Sequence, residues 1–194
     1  MEKKITLITL TLLATAFIAA SVFTYYPLTL TVQPTAPPVV FAAGSNANQQ
    51  DLSGNIVVNI GQNSTSASIT IHPTYHTTYY KNVTLIKNTD SKAYNVSLVL
   101  DDITGDLPSG SHVYLIVYSS GATRDLRTGV SGYPDLGPTG GVVTVVNLTA
   151  PSTNSPLNIG VLDNGGTWEI DFLVYIPEGN YAIETYSQTF SMHI

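Results

Sequence analysis

The 194-residue chain contains no cysteine. That absence excludes a disulfide framework, a thiolate metal centre and a cysteine nucleophile together, so stability has to come from packing and hydrogen bonds. Charge is scarce as well: Asp, Glu, Lys and Arg make up 10% of the residues, with 7 basic against 13 acidic side chains. No basic run exists beyond Lys3 and Lys4. The phosphate-neutralising charge that drives nucleic-acid binding is therefore missing, and nucleic acid is excluded as an expected partner. There is no HExxH, no G-x-S-x-G, no internal repeat and no convincing 3.6-residue apolar stripe in the body of the chain. What is present is 43% hydrophobic residues with abundant Thr, Ser, Asn and Tyr, a balance typical of all-β extracellular domains and sufficient for one sizeable core.

The first 23 residues, MEKKITLITLTLLATAFIAASVF, carry a short basic region, an apolar stretch from Ile5 to Ile18 and then Ala19, Ala20 and Ser21. This pattern predicts an export signal of residues 1–21 cleaved between Ser21 and Val22, because Ala19 and Ser21 fit the small-x-small rule. The earlier Ala14-x-Ala16 pair would cut the apolar run short. The alternative is an uncleaved anchor formed by residues 5–23, near the lower limit for a spanning helix. A pilin-type reading is disfavoured, since Ile5 rather than a small residue follows Lys4. Loss of residues 1–21 removes Glu2, Lys3 and Lys4 and leaves 5 basic against 12 acidic residues, a net charge of −7.

Acceptor sequons for N-linked glycans stand at Asn63, Asn82, Asn95 and Asn147. Around Asn95 the residues Tyr94, Val96, Leu98 and Leu100 share one parity, so Asn95 is expected to face solvent. Asn82 is expected to do the same beside Val83 and Leu85. At Asn147 the alternation is broken, with Val143 and Val145 on its parity and Val142, Val146 and Leu148 on the other; an outward position is still expected.

Period-two segments recur every 10 to 15 residues. Ile56, Val58 and Ile60 alternate, as do Ala67, Ile69 and Ile71, and as do Trp168, Ile170, Phe172, Val174 and Ile176 with Glu169 and Asp171 on the opposite face. HVYLIVYSS is apolar on both parities and is expected to be covered on both sides. Turns are marked by DDITGDLPSGS, SGYPDLGPTGG, DNGG and PEGN. About ten strands predict an all-β, two-sheet sandwich, a jelly roll or Greek key, over residues 45–194.

Ahead of it lies YYPLTLTVQPTAPP, residues 25–38. Tyr26, Leu28, Leu30 and Val32 share one face of a strand, residues 22–33, and Thr29, Thr31 and Gln33 the other. The prolines after it, at 34, 37 and 38, make a stiff extended linker and domain entry, residues 34–44, rather than a hairpin. A detached strand with an apolar face is unstable in water unless paired, and a second copy of the chain is the simplest acceptor.

Two stretches, YYPLTLTVQPTAPPVVFAAGSNANQQDLSGNIVVNIG and YKNVTLIKNTDSKAYNVSLVLDD, give the chain a resemblance to the TasA-like biofilm fibre proteins and their archaeal bundling-pilus and thread relatives. The resemblance implies a jelly-roll subunit whose N-terminal strand fills a groove of its neighbour by donor-strand complementation, the donor face being Tyr26, Leu28, Leu30 and Val32. Because donor and groove are different surfaces, the expected partner is the chain itself, in a homopolymer held by a heterologous contact and open to lateral bundling, while the signal and the sequons predict N-linked glycans and a secreted, cell-surface location. Camelysin-type relatives are often described as peptidases, which brings in an enzyme reading that the missing HExxH disfavours.

Candidate chemistry is thin. His72 and His76 in HPTYH have helical spacing for a metal, but Pro73 and the β context break it. Asp101, Asp102 and Asp106 depart from a calcium loop, and a polar turn is favoured. Tyr75, Tyr79 and Tyr80 offer aromatic area for lateral contacts, against ordinary strand tyrosines. No catalytic residue, metal or cofactor is expected. The expected function is an extracellular filament subunit; the alternative is a membrane-anchored β-sandwich module that binds glycans or envelope proteins.

Overall fold

The computed structural model describes residues 2–19, 28, 30–33, 35–105, 107–124, 141–149, 153–179 and 186–194. The chain divides into two compact units, Met1–Thr35 and Ala36–Ile194.

In the first unit, α1 (Glu2–Ala19) is apolar around its circumference, with Ile5, Leu7, Ile8, Leu10, Leu12 and Leu13 all exposed. Its threonines avoid competing with the helix because Thr6 and Thr9 donate to the Glu2 and Ile5 carbonyls one turn back, at 3.0 and 2.8 Å. No helix among the described residues is long and apolar enough to cross a membrane. Residues 28 and 30–33 belong to no strand. The cleavage site at Ser21 and Val22, and Tyr26 of the donor face, lie outside the described residues.

The second unit is an all-β sandwich of two five-stranded antiparallel sheets. Its strands are β1 (Val39–Ala43), β2 (Val57–Ile60), β3 (Ser66–Ile71), β4 (His76–Asn88), β5 (Tyr94–Thr104), β6 (His112–Ser119), β7 (Val142–Asn147), β8 (Pro156–Leu162), β9 (Thr167–Ile176) and β10 (Gln188–His193). One sheet has the order β1-β4-β9-β6-β7 and the other β2-β3-β10-β5-β8. From β3 to β10 successive strands alternate between the sheets except at β6 and β7, which are neighbours in one sheet, and the orders β3-β10-β5-β8 and β4-β9-β6-β7 are those of an eight-stranded jelly roll. β1 and β2 extend one side of each sheet. β1 thus falls inside the stretch expected as linker and entry, and Phe41 is buried in the core.

The alternating residues read from the sequence meet between the sheets. Val58, Ile69, Ile71, Leu98, Leu100, Ile170, Val174 and Met192 are buried in one cluster, and Phe172 of β9 stacks on Phe190 of β10 with ring centres 5.0 Å apart. β6 is covered on both faces: Val113, Leu115 and Val117 face the core, while Ile116 and Tyr118 join Leu173 in a second cluster on the outer face. The Asn-containing turn between β4 and β5 carries the chain from one sheet to the other. Buried Asn88 holds that corner, its side-chain amide donating to the carbonyls of Lys92, Leu162 and Asp163 and its oxygen accepting from the Asp90 amide.

Register shifts interrupt four of the strand pairings, and those in β4 and β7 bear on the sequons. In β4 the register with β9 shifts between Tyr80 and Thr84, so that Val83 and Thr84 are both buried. In β7 the shift against β6 leaves Val143 as the extra residue: Val142 pairs with Tyr118 and Thr144 with Val117. Val145 and Asn147 thereby come opposite Ile116 and Tyr114, which accounts for the mixed parity around Asn147.

Candidate functional site

Apart from Leu52 and Val161, the large apolar residues described in the sandwich are covered at least in part, whereas those of the segment ahead of it are not. Leu28, Leu30 and Val32 are 93%, 81% and 77% exposed, three large apolar side chains at period two. Leaving such residues in water forgoes about 1.5–3 kcal/mol apiece. The segment also lacks charge: no Asp, Glu, Lys or Arg lies between Lys4 and Asp51.

The four sequons differ in setting. Asn63 and Asn95 are exposed, as expected. Asn147 is exposed too, and its side-chain oxygen accepts from the Thr149 amide at 2.9 Å, folding its own sequon into an Asx turn. Asn82 departs from the expectation of a freely outward side chain. It occupies the β4 bulge with a positive φ of 47°, only half-exposed, and its Oδ1 is buried without a partner. A Cβ added to Gly44 would lie 2.6 Å from that Oδ1, so only glycine allows this approach.

Beneath the bulge lies a polar cluster on the outer face of the β4-β9-β6 sheet. Asp171 of β9 is fully buried; it accepts the Asn82 amide at 2.7 Å, the Tyr79 hydroxyl, and Arg124 Nε at 2.9 Å. Glu169, two residues before it, accepts the Gly121 amide at 3.0 Å and Arg124 Nη2 at 2.6 Å. The guanidinium, 7% exposed, also lies 4.4 Å over the Tyr118 ring. Burial works against the charge on Arg124, but the hydrogen bonds it donates to Asp171 and Glu169 outweigh it and raise its pKa. Burial likewise opposes ionisation of Glu169, yet the Gly121 amide and Arg124 outweigh it and hold the carboxyl below its ordinary value. Burial first, and Asp171 second, push the Tyr79 hydroxyl up, which keeps it a donor. Every charged atom is satisfied, so the cluster clamps residues 120–124 to the sheet rather than presenting a reactive group. The alternation in β9 marks Glu169 and Asp171 as off the core; Arg124, 45 residues away from Glu169, carries no such signal.

The remaining candidates do not converge. His72 stands beside Asp51 and His76 bonds Glu178 at 2.7 Å, so the two histidines of HPTYH serve different partners. Asp101 bonds His193 at 2.7 Å, whereas Asp102 borders a separate cleft and Asp106 lies outside the described residues. Among the described residues no group of three His, Asp or Glu side chains could hold a metal ion. The three tyrosines also part: Tyr75 packs edge-on to Tyr186, Tyr79 meets Asp171, and Tyr80 is buried with its hydroxyl 3.4 Å from Asp51. Tyr80 is therefore a core residue and contributes nothing to a lateral surface. The cleft, of about 520 Å³, opens at one end of the sandwich and includes Asp102, Leu107, Ser111, Thr149 and Gln188. Ser111 Oγ and Gln188 Oε1 are buried without partners there, and among the described lining residues no nucleophile is set beside a base. Comparison with protein-family models and with curated proteins finds no match for the chain.

Proposed function

We propose that the protein is the structural subunit of an extracellular filament, a pilus, thread or biofilm fibre, that polymerises by inserting its N-terminal strand into the neighbouring subunit. The observation that carries this reading is the exposed, period-two row of Leu28, Leu30 and Val32 ahead of a sandwich that is already well packed. Such a row is stable only when covered. Burying these three side chains and Tyr26 contributes on the order of 6–12 kcal/mol before association entropy is deducted. Each ladder hydrogen bond adds about 1 kcal/mol net.

Donor and acceptor are different surfaces, so the contact is heterologous and leaves a free donor at one end and a free acceptor at the other. An open polymer follows. Residues 1–21 act as the export signal in this reading, and the exposed sequons at Asn63, Asn95 and Asn147 take glycans outside the cell. The polymer is assembled from one kind of chain, and neither a cofactor nor a catalytic step is part of the reading.

Negative-stain microscopy of the exported protein, together with its intact mass, tests the proposal. Filaments built of chains that begin at Val22 and carry added glycan mass are expected. Monodisperse particles that retain Met1 to Ser21 overturn it and favour a membrane-anchored module.

A further inference from the structure

The sandwich has four sheet edges, at β1, β7, β2 and β8, and they are protected very unequally. At β1 the Phe41 amide donates to the Ser64 carbonyl at 2.6 Å, so the side facing away from β4 is tied to the β2–β3 turn. β2 is only four residues long. β8 begins with Pro156, which has no amide hydrogen to offer, and its pairing with β5 shifts register between Val96 and Ser97. Gly160 in the same strand has a φ of 143°. β7 carries a bulge at Val143 but is otherwise unprotected. Its six residues, VVTVVN, contain no proline, glycine or charge, and on its far side from β6 it pairs with no strand among the described residues.

The β7 side chains are equally unfinished. Val142 through Val146 are all half-buried, and not one is fully covered. Val143 and Val146 lean on the main core, while Val142 and Val145 lean on the outer cluster, so the strand is apolar on both faces. Across the seam Val161 of β8 is 61% exposed.

Resting on the filament reading, we infer that the free edge of β7 is the acceptor, and that its occupant is residues 28–33 of a second copy of this chain. Length agrees: six residues of β7 face the six-residue stretch 28–33, each about 20 Å when extended. Charge agrees as well. The protein is acidic overall, with a net charge of −6, yet the donor segment is uncharged and β7 and β8 lie within an uncharged run between Asp135 and Asp163. Two copies therefore meet here without the repulsion that opposes most other pairings. In the new ladder, Leu28, Leu30 and Val32 continue the inner face begun by Val143 and Val146, and the backbone of the occupant satisfies the open edge.

The test is a photo-crosslink. p-Benzoylphenylalanine replaces Thr31, light and heavy isotope-labelled chains are mixed under filament-forming conditions, and the cross-linked peptides are mapped after irradiation. Light-to-heavy links between position 31 and residues 142–147 are expected. A second variant, Val145→Lys, places a charge on the half-exposed side of the edge; it is expected to keep the thermal unfolding midpoint of the monomer within a few degrees while filament yield falls at least tenfold. If filaments form but the light-to-heavy link falls on 39–43, 57–60 or 156–162, the acceptor assignment is wrong and the filament reading stands; a link confined to one chain overturns both. Undiminished filaments from Val145→Lys count against β7 in the same way. If the unsubstituted protein forms no filaments, both readings fall together.

Discussion

At the scale of single residues, the most constrained group is Arg124, held between Glu169 and Asp171 over the Tyr118 ring. Arg124→Ala leaves two buried carboxylates without their cation, and the expected cost is about 3–5 kcal/mol, read as a drop in denaturant midpoint. The same cluster sets a pH dependence. Because the folded-state pKa of Glu169 is depressed, its contribution is present above its unfolded value of about 4.5 and is lost as pH falls through the folded value. Unfolding midpoints measured from pH 7 down to pH 3 should therefore decline on the acid side, and less steeply for Arg124→Ala. Period two in β9 made the off-core position of Glu169 and Asp171 legible in the sequence. Their burial was not legible, because it depends on residues 120–124 folding over the sheet, a contact between positions more than 40 residues apart.

At the scale of elements, the strands with clean alternation were the legible ones. β3, β5 and β9 present in the structure the faces their sequences imply, since a half-buried strand needs little beyond that pattern. β4 and β7 were less legible because their bulges fall within the apolar pattern, whereas that of β5 comes after Leu100, and one extra residue exchanges the two faces beyond it. That is why Asn82 is half-buried beside Gly44 and why the valines of β7 point both ways. β1 was hidden within a proline-rich stretch, yet Phe41 anchors it in the core. The two sheets meet through a ring pair between β9 and β10: Phe172→Ala removes one ring of the Phe172–Phe190 stack and opens a cavity between them. A loss of about 3–5 kcal/mol is expected, and calorimetry should register it as a fall in Tm of about 10 °C or more.

At the scale of the whole molecule, the chain combines an acidic body with a stretch that carries no Asp, Glu, Lys or Arg between Lys4 and Asp51, and the proposed filament makes that split testable. If the proposed filament is right, Leu30→Asp puts an unpaired charge into its buried row and filament yield should fall by at least tenfold, whereas Thr31→Asp on the opposite parity should have a smaller effect. Screening should help the unsubstituted chain: raising salt from 0.01 to 0.15 M shortens the Debye length from about 30 to about 8 Å, and light scattering should show faster growth. The junction between the two units has a mechanical meaning. The chain passes from Pro38, whose carbonyl accepts from Thr89, directly into β1, which lies antiparallel to β4 from Val39 opposite Asn88 to Ala43 opposite Thr84. Tension transmitted through the linker along the strand axis is therefore shared by the whole β1–β4 ladder in shear, where its bonds must yield together, instead of being unzipped one at a time.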